Sequence, residues 1–110
     1  IDLSPSAQAA LAMLHSALDA FARADASAAP RIEREDAEVD ASFKAIMRQL
    51  ITYMMEDPRT ITSSLELLFN AKAIERIGDH AMNIAEYVVF LAQGEDVRYS
   101  KSEEALRSGN

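Results

Sequence analysis

Three prolines, at positions 5, 30 and 58, are almost the only interruptions in 110 residues. Between them, apolar side chains recur at the three- and four-residue spacing of amphipathic helices. Ser4-Pro5 reads as an N-cap with proline at the first helical position. It is followed by Ala7, Leu11, Leu14, Leu18 and Phe21, which predicts a first helix over about 5–26. Pro30 disfavours helix in the residue before it, so Asp25 to Pro30 reads as a turn. A second helix over about 31–56 follows from Val39, Phe43, Ile46, Met47, Leu50, Tyr53 and Met54, and Asp57-Pro58 stops it.

A third helix, about 60–93, is set by Leu65, Leu68, Ala71, Ile74, Gly78, Ala81, Ala85, Val88 and Leu91. Gly78 in its middle costs up to ~1 kcal/mol relative to alanine, which suits either close helix packing or room beside a ligand. Gly94 reads as a C-cap, and 95–110 as a polar tail, frayed or in a short helix. The expected fold is all-α: one domain, an antiparallel up-down-up three-helix bundle with short connections. Only three glycines and no tryptophan, with aromatics at 6% and hydrophobic residues at 49%, agree with aliphatic helix packing.

Composition excludes several functions. A net charge of −7 with singly scattered basic residues argues against direct nucleic-acid binding. The absence of cysteine removes disulfides, thiol nucleophiles and thiolate metal sites. No apolar run approaches the ~20 residues of a transmembrane helix, and no secretory signal is visible. There is no Gly-rich phosphate loop and no serine with a nearby base. The residues three before His15 and His80 are Ala12 and Ile77, so the Glu-x-x-His pattern of di-iron bundle oxidases is missing.

The chemistry-bearing pattern is acidic. Asp36 and Asp40 are one turn apart on the second helix, and Glu75, Asp79 and Asn83 follow at the same interval on the third. If the hairpin folds at Pro58, Asp40 lies 18 residues before it and Glu75 17 after, while Asp36 lies 22 before and Asp79 21 after. The two ridges therefore stand at equal heights. Converging carboxylates need a cation, and hard oxygen donors suit Mg²⁺, Ca²⁺, Mn²⁺, iron or, less exclusively, Zn²⁺. Alternatively, both ridges face solvent and are neutralised by Arg34, Lys44, Lys72 and Arg76. Asn83 could add a carbonyl ligand or a hydrogen bond around the site. Glu33, Glu86 and Asp19 are outlying candidates, His80 and His15 read as packing or hydrogen-bonding residues, and the five methionines read as core filler.

At Glu75-Arg-Ile-Gly-Asp-His-Ala-Met-Asn-Ile-Ala-Glu86 the sequence closely resembles the PhoU family, and the likeness extends through Tyr53–Thr60, Leu67–Lys72 and Gln93–Arg98. The family's metal motif, an acid, three residues and an aspartate, is matched by Asp36–Asp40 and Glu75–Asp79. The resemblance thus implies that Asp36, Asp40, Glu75 and Asp79 hold a metal cluster, of iron or zinc ahead of magnesium, manganese, calcium or nickel. Family members commonly carry a small hydroxyl residue where Met82 stands.

PhoU proteins are typically about twice this length, with two similar three-helix repeats, and this stretch looks like the C-terminal one. The resemblance further implies a non-catalytic, cytoplasmic regulator of phosphate uptake and of the phosphate-starvation response, reaching the inner membrane only through partners. Those partners would be the phosphate transporter's ATPase subunit and a sensor histidine kinase, and a homodimer is expected. The other readings of the acidic ridges are a metal-dependent phosphoesterase and a metal-free helical adaptor.

Overall fold

A computed structural model describes the backbone of residues 1–108 and their side chains except those of 95–100, 102 and 108. It contains three helices: α1 (Ser4–Arg23), α2 (Ala29–Glu56) and α3 (Ile61–Ser108). Three-residue 3₁₀ turns, Ala26–Ala28 and Pro58–Thr60, lead into α2 and α3. No strand occurs among the described residues. Helix α3 packs along both α1 and α2, which touch each other less extensively, and the molecule is a rod of 79 × 20 × 17 Å. No described helix is long and apolar enough to cross a membrane.

Local chemistry explains both turns. Helix α1 ends in a Schellman motif, with Ala24 N–H donating to Phe21 O and Asp25 N–H to Ala20 O, at 3.2 and 2.8 Å. Ala24 takes the left-handed conformation, φ 54°, that closes it. The Asp25 carboxylate then accepts from the Ser27 N–H, while Pro30 occupies the first turn of α2, where its missing N–H is not needed. At the second turn Asp57 is extended, as a residue preceding proline should be, and its carboxylate accepts from the backbone N–H and the guanidinium of Arg59.

Two expectations are corrected. Helix α3 does not stop at Gly94: the polar segment after it continues the same helix to Ser108, with 109 and 110 outside the described residues. Nothing lies within 4 Å of a Cβ built at Gly94, and no described glycine has positive φ. A lone exposed glycine costs only ~1 kcal/mol, and the Glu, Lys, Ala, Leu and Arg residues that follow are good helix formers.

The second correction concerns α1. Its buried residues are Ala10, Met13, Ala17 and Ala20, whereas Leu11, Leu18 and Phe21 are about half exposed. The buried set lies one residue, about 100°, from the Leu11, Leu14, Leu18 and Phe21 set that periodicity selects. A row of alanines lets the helix backbones approach, and the core closes around Met13, Ile32 and Leu50. The larger side chains remain at the margin. Met55 likewise stands 80% exposed instead of filling the core.

Candidate metal centre

Of the two acidic ridges, it is Asp36 of α2 that faces the ridge of α3. A Cβ built at Gly78 would lie 3.5 Å from Val39 Cγ1, 3.6 Å from Asp36 Oδ1 and 3.7 Å from Met13 Sδ. Gly78 thus faces Val39, Met13 and the Asp36 carboxylate at distances where an alanine methyl would make only ordinary contacts. Asp36 is part-buried, and its pKa is raised from 3.8, first by desolvation and then by repulsion from Asp79, Asp40, Glu75 and Glu86. The equal-height register predicted from Pro58 thus brings Asp36 into the field of the other three expected ligands.

The four carboxylates are not equally compensated. Lys44 pairs with Asp40 at 3.1 Å, one turn along α2. Lys72 pairs with Glu75, whose side chain is only 12% exposed, and its ammonium also lies 5.3 Å from the Phe43 ring centroid. Among the described residues, Asp36 and Asp79 make no ion pair or hydrogen bond, and no three His, Cys, Asp or Glu side chains close into a metal cage. The donor set nevertheless fits a hard cation: it is all oxygen and anionic, and it contains one carboxylate disfavoured by its own neighbours.

The outlying candidates separate clearly. Glu86 contributes to the repulsion felt by Asp36, a role visible in the sequence as an extension of the Glu75-Asp79 ridge two turns further on. Asn83 and His80 instead line an apolar hollow of about 370 Å³ between α1 and α3, with Leu18, Phe21, Ile84 and Tyr87. Both are exposed, as is His15. Asp19 is engaged by Arg23 on the surface of α1, at 3.1 Å.

The PhoU domain model matches residues 4–88, which spans all of α1 and α2 and the part of α3 that carries the acidic ridge. The chain belongs to the PhoU family. It is 50% identical over 99 residues to the phosphate-specific transport system accessory protein PhoU of Edwardsiella tarda, covering 90% of this chain and 41% of that protein. The Escherichia coli K12 protein of the same name is 53% identical over 92 residues, 84% of this chain and 38% of the relative. A crystal structure of PhoU from Pseudomonas aeruginosa matches with a TM-score of 0.74 at 47% identity, over 79% of this chain and 42% of the other. The chain thus spans about two fifths of the length of these PhoU proteins, the first two of which are named as accessory proteins of a phosphate-specific transport system.

Proposed function

We propose that this chain is a PhoU module that regulates phosphate uptake and the phosphate-starvation response without catalysis of its own. It would act in the cytoplasm through contacts with the phosphate transporter's ATPase subunit and a sensor histidine kinase. The observation that supports this reading is the match of residues 4–88 to the PhoU domain, together with about 50% identity to proteins named as phosphate-specific transport accessories.

Within that role, Asp36, Asp40, Glu75 and Asp79 would hold a metal ion or cluster, iron or zinc by preference. Bound there, the metal supplies positive charge between two acidic helices. The protein's own residues do the rest. The one-turn spacing on each helix aligns the carboxylates, Gly78 faces the Asp36 carboxylate across the contact, and the desolvation of Asp36 makes a cation partner more valuable. Lys44 and Lys72 are the groups that a cation would displace from Asp40 and Glu75.

A chimera tests the regulatory reading. Residues 4–88 of this chain replace the matching section of the Escherichia coli relative, expressed in a strain lacking its own copy and carrying a phosphate-starvation reporter. Repression in high phosphate equal to that by the parental relative is expected. A folded, stably expressed chimera that leaves the reporter fully active would contradict it.

A further inference from the structure

The register that sets the carboxylates level continues one step nearer the hairpin. Lys44 lies 14 residues before Pro58 and Lys72 lies 14 after it, so the two lysines stand at equal height, about one turn from Asp40 and Glu75. The contact across the seam agrees. The Lys72 ammonium, carried by α3, sits 5.3 Å from the ring centroid of Phe43, which precedes Lys44 on α2. Both lysine side chains are more than half exposed, at 62% and 53%, so a ligand can reach them from solvent.

Each ammonium leans onto a carboxylate of its own helix, Lys44 onto Asp40 at 3.1 Å and Lys72 onto Glu75. An anion arriving beside such pairs lies only about 5 Å, one helical turn, from Asp40 and Glu75 and is repelled by them. Asp36 and Asp79 stand a further turn away with no ion pair of their own among the described residues, and they add to the repulsion. Once a cation engages the carboxylates, both obstacles go: the repulsion is neutralised and the two lysines lose their partners. Lys72 does not then swing free, because the Phe43 ring still holds its ammonium at the seam.

We propose that Lys44 and Lys72 form a seat for a phosphate-type oxyanion, one that opens when a cation occupies the neighbouring carboxylates. The inference rests on the cation site proposed above. Two ammonium groups at one height offer a doubly charged tetrahedral anion charge-assisted donors from both helices. The linkage is reciprocal: the cation raises the affinity for the oxyanion by the same factor by which the oxyanion raises the affinity for the cation. In a regulator of phosphate uptake, such a seat lets the acidic site respond to phosphate itself.

Equilibrium dialysis of the 110-residue chain against radiolabelled inorganic phosphate tests this, with the chain loaded with zinc and desalted so that no free metal competes. Metal content is read on the same samples. A chain that keeps no zinc refutes the cation site and the seat together, whereas zinc retained without phosphate refutes the seat alone. Phosphate should bind the loaded chain at least about tenfold more tightly than the stripped chain. Lys44→Met/Lys72→Met should keep its zinc and bind phosphate roughly tenfold or more weakly, while Lys44→Arg/Lys72→Arg should keep both. Arg23→Gln/Arg31→Gln removes the same charge about 20 Å further along the bundle and should change phosphate binding by less than about twofold. Methyl phosphate as competitor identifies the source, and either result upholds the seat: displacement extends it to phosphoryl groups on larger molecules, and no displacement confines it to the free ion. Phosphate bound equally by stripped and loaded chains, or undiminished in the double methionine variant, would overturn the proposal.

Discussion

Asp36 is the residue at which burial and charge conflict. Its pKa in the folded chain lies above 3.8, so the folded state binds its proton more tightly than the unfolded state does. Stability therefore falls as the pH rises from about 3.8 through the raised value, and at neutral pH the ionised group opposes folding. Asp36→Asn should stabilise the metal-free chain at pH 7 by about 0.5 kcal/mol after solvent screening, an advantage that fades as the pH drops towards 4. Urea denaturation at several pH values measures this, and an equal or lower midpoint for Asp36→Asn at pH 7 would contradict it. The spacing of Asp36, Asp40, Glu75 and Asp79 around Pro58 was enough to foresee that Asp36 lies in the field of the other three. It offered Lys44 and Lys72 with Arg34 and Arg76 as counter-ions but could not say that Asp40 and Glu75 would be taken and Asp36 and Asp79 left uncompensated, because long side chains choose among several acids within reach.

At the scale of the helices, the breakers were read more securely than the faces. Asp57-Pro58 terminates α2 at Glu56, since proline disfavours helical geometry in the residue before it and the extended Asp57 gains hydrogen bonds from Arg59, whereas Ala29 before Pro30 stays helical. The face of α1 was not legible: alanine and leucine rows lie side by side, and how closely the backbones approach decides between them. Gly94 misled for the same kind of reason, since a glycine signals a stop only where φ turns positive. The residue that does turn positive is Ala24, at φ 54°. Ala24→Gly should therefore stabilise the bundle by about 0.5 kcal/mol, as relief of left-handed strain outweighs the entropy of glycine. Thermal denaturation checks this, and a lowered midpoint would count against the Schellman closure of α1.

For the molecule as a whole, α3 is the organising element. It reaches beyond α1 and α2, supplies one side of the core and one acidic ridge, and keeps large apolar side chains such as Phe69 and Phe90 exposed on its outer face. That double use blurs its periodicity, which is why the sequence showed a long helix but not its second surface. The acidic residues divide in the same way: some sit in surface pairs such as Arg23–Asp19 and Arg31–Glu35, and others act on Asp36.

The central claim is that the ridges of α2 and α3 form one cation site, and metal content tests it most directly. The chain and its Asp36→Asn/Asp79→Asn variant are stripped with chelator, reloaded with ferrous iron or zinc, desalted and analysed for bound metal. The account predicts that the parent chain retains at least one ion per copy and that the variant loses most of it. Equal metal retained by both, or none retained by the parent chain, would contradict the account.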